Sequence, residues 1–130
     1  MASIETQSLE ITAHHKQYSE INPNTTLKDS ATGKTVFITG GSRGIGLATA
    51  IAFAQANANA VYITARSESQ LFEAKQKIEK TNPQTQCAYM VCDVTEADQV
   101  KAAVDDCVNR FGGIDIADAN AGYLDKWQKI

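Results

Sequence analysis

Three glycines at the spacing Gly40-x-x-x-Gly44-x-Gly46 lie within Thr39-Gly40-Gly41-Ser42-Arg43-Gly44-Ile45-Gly46. The preceding Thr35-Val36-Phe37-Ile38-Thr39 is short, apolar and β-branched, the composition of a buried strand. Beyond the glycines, Ile45, Ala48, Ala52 and Phe53 recur at helical spacing. A glycine loop between a strand and a helix suits a phosphate. Its backbone can turn tightly and approach the anion, and the helix's first N–H groups and dipole favour the negative charge. The spacing is not the usual G-x-G-x-x-G, and a glycine cluster alone is often only a tight turn; the strand-to-helix context points to a pyrophosphate site. Gly40, Ser42, Arg43, Gly44, Ile45 and Gly46 are its candidate residues.

A second signal stands twenty residues beyond Gly46, at the end of the next apolar run, Val61-Tyr62-Ile63-Thr64-Ala65. Dinucleotide sites of this kind place an acid there for the ribose 2′-hydroxyl of NAD. Here the residue is Arg66. A carboxylate would repel a 2′-phosphate, whereas a guanidinium can clasp it with two charge-assisted bonds. Arg43 could approach the same phosphate from the glycine loop. NADP(H) is therefore the expected cofactor, the plainer alternative being two solvated surface arginines.

The elements that must position these residues follow in regular order. The spacing predicts a helix over Gly44 to Ala56, with Asn57 tolerating a left-handed cap. Ser67-Glu68-Ser69-Gln70 reads as a capping box opening a second helix, whose apolar face is Leu71, Ala74 and Ile78 and which stops before Asn82-Pro83. Cys87 to Val94 is a third strand. Thr95, with Asp98 three residues on, is expected to start a third helix, with an apolar stripe of Val100, Ala103, Val104, Cys107, Val108 and Phe111 ending at Gly112-Gly113. Ile114 to Ala119 is a fourth strand. This β-α-β-α-β-α-β order implies an α/β fold with a Rossmann-type, doubly wound parallel sheet, its ligand at the carboxyl ends of the strands. Residues 1–33 are polar, without sustained periodicity, and read as an extended arm; residues 34–122 form the dinucleotide-binding half-domain; residues 123–130 are a tail.

Composition narrows the function classes. With 43% hydrophobic and 21% charged residues among 130, the chain resembles an ordinary soluble domain. A net charge of −3 with scattered basic residues argues for neither nucleic acid nor a membrane surface. No apolar run approaches a membrane span, and the first residues lack the pattern of a secretory signal. A cytoplasmic location is the default. Cys87, Cys92 and Cys107, odd in number and without C-x-x-C spacing, read as small buried hydrophobes. His14-His15 are adjacent, point apart and have no further ligands nearby, so no metal site is expected.

At this point the sequence resembles the short-chain dehydrogenase/reductase family over roughly Lys34 to Gly122. The family's T-G-x-x-x-G-[IL]-G is matched by Thr39 to Gly46. Its D-V pair after the third strand is matched by Asp93-Val94, which implies a bond from Asp93 to the adenine amino group. Its N-N-A-G is matched by Ala119-Asn120-Ala121-Gly122, with Ala119 in place of the first Asn; the resemblance implies that Asn120 lies near the nicotinamide ribose and closes the sheet. A polar arm before the domain also resembles fungal members acting on sugars, polyols or secondary metabolites. The resemblance implies an NADP(H)-dependent oxidoreductase interconverting a small-molecule carbonyl and alcohol.

Members of that family are about twice as long, which implies a sheet truncated after its fourth strand and a missing subunit interface. Their catalytic Ser and Tyr-x-x-x-Lys have no counterpart here, so no catalytic residue is assigned and hydride transfer by these residues is not expected. Tyr123, with Lys126 three and Trp127 four residues on, lies where the family's substrate-side loop begins. The alternatives are a non-catalytic dinucleotide-binding module and a decayed remnant. A chain of this extent is expected to be marginally stable and prone to aggregate.

Overall fold

The computed structural model describes residues 15–122; His14, Tyr123, Lys126 and Trp127 lie outside them. Four strands, β1 (Thr35–Thr39), β2 (Ala60–Ala65), β3 (Gln86–Val91) and β4 (Ile116–Asp118), alternate with three helices, α1 (Gly44–Gln55), α2 (Glu68–Thr81) and α3 (Ala97–Phe111). All strand pairs are parallel, and the sheet order is β3-β2-β1-β4. The Rossmann-type α/β fold expected from the alternation is what forms.

Side-chain alternation in the strands divides the core into two layers. Val36, Ile38, Val61, Ile63 and Cys87 face α1 and α2, where Ala50, Ala54, Leu71, Ala74 and Ile78 meet them. Phe37, Tyr62 and Ala88 face α3 and pack on Ala103 and Cys107. Phe37 and Tyr62 stack with ring centroids 5.5 Å apart. The crossover after β1 thus lies on one face and the crossover after β3 on the other, so the winding reverses between the neighbours β1 and β4.

Several boundaries differ from the sequence reading, each for a local reason. β3 ends at Val91 rather than Val94, because its partner β2 ends at Ala65, opposite Val91. β4 is three residues long: Asp115, just before it, ties to the start of β1 by backbone and side chain, its N–H donating to the Thr35 carbonyl at 2.9 Å and its carboxylate accepting from the Thr35 N–H at 2.8 Å. α3 starts at Ala97 with Glu96 as an N-cap that makes no side-chain bond, and Thr95 turns instead to the Asp93 carboxylate. In α1 the buried residues are Gly46, Ala50 and Ala54, while Ile45 is 79% exposed. The α3 stripe is only half covered: Ala103 and Cys107 are buried and Val108 is exposed.

Other local expectations hold. Asn57 has φ 65°, and of the expected capping box the Ser67 half forms, the Gln70 N–H donating to Ser67 Oγ at the start of α2. The three cysteines are buried and free. The described part of the N-terminal segment is not an extended arm. Ser19–Ile21 form a 3-10 turn, further turns follow, and Thr32 bridges Ala58. Asn57 donates to the Asp29 carboxylate and accepts from the Asn82 amide at 2.9 Å, pinning this segment where α1 and α2 end. No helix among the described residues is long and apolar enough to cross a membrane.

Candidate dinucleotide site

The glycine loop is shaped by its neighbours. The N–H groups of Gly40 and Gly41 both donate to the Thr64 carbonyl, at 2.8 and 3.1 Å, which bends the chain sharply as it leaves β1. Gly40 has φ 68°, a region that side chains with a Cβ avoid. A Cβ on Gly46 would stand 2.1 Å from the Gly40 carbonyl oxygen and 2.6 Å from Asn120 Nδ2. That contact is between the start of α1 and the loop itself, so the third glycine is a packing requirement before any ligand arrives.

Residues from β4's end complete the wall. Asn120 Nδ2 donates to the Gly40 carbonyl at 3.2 Å, and the Ala121 N–H donates to Thr39 Oγ1 at 3.1 Å. Asn120 thereby ties the chain just past β4 to the loop that leaves β1.

A groove of about 1070 Å³ opens over the carboxyl ends of all four strands. Gly40, Ser42, Arg43, Gly44, Ile45, Arg66, Asp93, Val94, Asn120, Ala121 and Gly122 line it together. Of the twelve cofactor-binding candidates only Gly46 is absent from the lining; it is buried beneath the loop. Thr64, Ala65, Gln70, Cys92 and Thr95 line the groove as well. The sequence offered Gln70 and Thr95 only as helix-capping residues; their distance along the chain from the glycines hid their second role.

The chemistry of the lining fits a dinucleotide. No side chain caps α1, and the first N–H groups of a helix have no partner within it, so the loop presents open donors for a pyrophosphate. Arg43 and Arg66 are exposed and neither forms an ion pair among the described residues. Asp93 is held on its backbone side: its N–H donates to Gln99 Oε1 at 2.8 Å, and its Oδ1 accepts from the Thr95 N–H and hydroxyl at 3.0 and 2.7 Å. The backbone bond from Thr95, then its hydroxyl, holds the Asp93 carboxyl below the usual carboxylate range. An ionised acceptor thus faces the β3 end of the groove. Ile45 and Val94, 79% and 43% exposed, leave apolar surface in the groove for rings to cover. Gly44, Ile45 and Ser42 could hold the pyrophosphate, Arg43 and Arg66 a 2′-phosphate, and Asp93 and Val94 an adenine.

Comparison with known proteins agrees with this fold and groove. Residues 34–129 match the short chain dehydrogenase family, and the chain belongs to it. A nepetalactol synthase from Nepeta racemosa is 34% identical over 108 residues, covering 83% of this chain and 38% of that protein. L-Sorbose reductase from Gluconobacter frateurii, solved with NADPH and L-sorbose, superposes with a TM-score of 0.70 at 34% identity, covering 75% of this chain and 36% of the other. An NAD+-bound xylitol dehydrogenase superposes with a TM-score of 0.67 at 33% identity, covering 72% and 35%. The chain therefore spans between a third and two-fifths of the length of these relatives. Oxidoreductases that use a nicotinamide dinucleotide are its structural kin.

Proposed function

We propose that this chain is the dinucleotide-binding part of an NADP(H)-dependent oxidoreductase that interconverts a small-molecule carbonyl and its alcohol in the cytoplasm. Structural neighbours are solved with either NADPH or NAD+, so membership of the family leaves the choice open. The observation that carries the reading is Arg66 at the end of β2, with Arg43 lining the same groove and no carboxylate at the position that would bind a 2′-hydroxyl. The bound nicotinamide would supply or accept the hydride. The residues of this chain seat the pyrophosphate on the start of α1, grip the 2′-phosphate between two guanidinium groups and orient the adenine at Asp93. A sugar or polyol is the substrate class suggested by the names of the two structural neighbours.

The test is calorimetric titration with NADPH and with NADH. NADPH is expected to bind at least about tenfold tighter at low salt, the advantage shrinking as salt screens the arginines. Arg66→Ala should bring the two affinities together. Equal or tighter binding of NADH by the unaltered chain would overturn the reading.

A further inference from the structure

The residue that the sequence marks as the second half of a capping box does not act as one. In a complete box the side chain three residues after the cap reaches back to the cap's own N–H. Here Ser67 Oγ does accept from the Gln70 N–H, at 3.4 Å. The Gln70 side chain points elsewhere: its Oε1 accepts from Ser42 Oγ at 3.4 Å, joining α2 to the glycine loop across 28 residues of sequence. Ser42 is nearly buried, whereas Gln70 is exposed. Both line the groove with Arg43 and Arg66. With its oxygen engaged by Ser42, the carboxamide keeps two N–H donors that bond no described residue, in the groove that Arg43 and Arg66 also line.

We propose that Gln70 is a specificity-determining residue for NADP(H): anchored through Ser42, it donates from its Nε2 to the 2′-phosphate that Arg43 and Arg66 attract. This rests on the reading of the groove as an NADP(H) site and adds to it a neutral donor that the glycine loop itself orients. A carboxamide has no charge to favour a phosphate at a distance, so its contribution depends on position, which the Ser42 bond supplies. It also makes α2 the element that senses the phosphate, since Gln70 lies in its first turn.

Gln70→Glu separates this role from a structural one. The new carboxylate could complete the capping box and would complement the positive end of the α2 dipole, so the thermal midpoint should stay level or rise. The same charge would face the 2′-phosphate and remove both donors. NADPH affinity is expected to fall roughly tenfold or more and NADH affinity by a clearly smaller factor, because both carry the pyrophosphate but only NADPH carries the 2′-phosphate. Ser42→Ala, which releases the anchor without adding charge, should lower the NADPH-to-NADH affinity ratio in the same direction by a smaller factor. If the unaltered chain prefers NADPH and Gln70→Glu leaves the affinity ratio unchanged, the role of Gln70 is overturned while the NADP(H) site stands. If the unaltered chain shows no preference, the NADP(H) reading fails and takes this inference with it.

Discussion

Gly46 shows how a single atom can govern both folding and binding. Its missing Cβ makes room for the Gly40 carbonyl, which in turn receives the Asn120 amide. Gly46→Ala must therefore push backbone against backbone, and it is expected to cost about 1–3 kcal/mol in urea unfolding and to weaken NADPH binding sharply. Gly113→Ala is the matched control: a Cβ there meets nothing within 4 Å, so its effect should stay within about 0.5 kcal/mol of zero. A tolerated Gly46→Ala would show that the loop can move where the structure leaves it no room. At this scale much of the groove lining was legible, because glycine, arginine, aspartate and asparagine each stand just past a strand end, where a parallel sheet gathers its ligand contacts. Gln70 was not legible as a groove residue. The choice of its carboxamide between Ser67 and Ser42 depends on where the loop lies after folding, which local spacing does not encode.

Helix α3 is fastened to the sheet by one partly buried polar contact as well as by its apolar stripe. Tyr62, wholly buried in β2, donates from its hydroxyl to Asp106 at 2.7 Å, and Arg110 Nε donates to the same carboxylate oxygen at 2.9 Å. Burial first, then the bond to Asp106, raises the Tyr62 hydroxyl above its ordinary pKa. The bond from Tyr62 is the main cause that holds Asp106 below its own. Asp106→Ala strands a buried hydroxyl and should cost about 1–3 kcal/mol, more than Tyr62→Phe, which removes donor and need together. The pH dependence follows from the two directions. Asp106's contribution is present above its unfolded value near pH 4 and is lost as pH falls through the depressed folded value. Tyr62's is present below about pH 10 and is lost as pH rises through the raised one. Urea midpoints for the unaltered chain and Asp106→Asn should therefore converge in acid; a gap that stays constant down to pH 2 would contradict this. Strand β1 and the apolar face of α2 were readable from periodicity alone. The end of β3 was not, because Cys92 and Val94 continue the apolar pattern past the last residue for which β2 offers a partner. Strand length is set by the neighbour, and the neighbour is not in the pattern.

Over the whole molecule, apolar surface is unevenly covered. β4 pairs only with β1 among the described residues, and Val91, Val94 and Val108 are 45%, 43% and 41% exposed. A parallel sheet with an open edge and partly bare faces is prone to pair with another copy. The 130-residue polypeptide, expressed alone, is expected to self-associate as its concentration rises in sedimentation runs; a monomer that melts cooperatively above about 55 °C would contradict this. The packing of residues 19–33 onto the end of α1 was hidden from the sequence, since that segment has turns but no repeating apolar face. The tie between Asn120 and Gly40 spans 80 residues of chain, and it has a kinetic consequence. Contacts so distant in sequence pay most of the loop-closure entropy and tend to form late in folding. A groove that exists only after that closure cannot attract its ligand earlier, so a dinucleotide would leave the refolding rate nearly untouched and act by slowing escape from the native state. Persistence of the folded chain would then follow the ligand's concentration, as a latch that holds only once the door is shut.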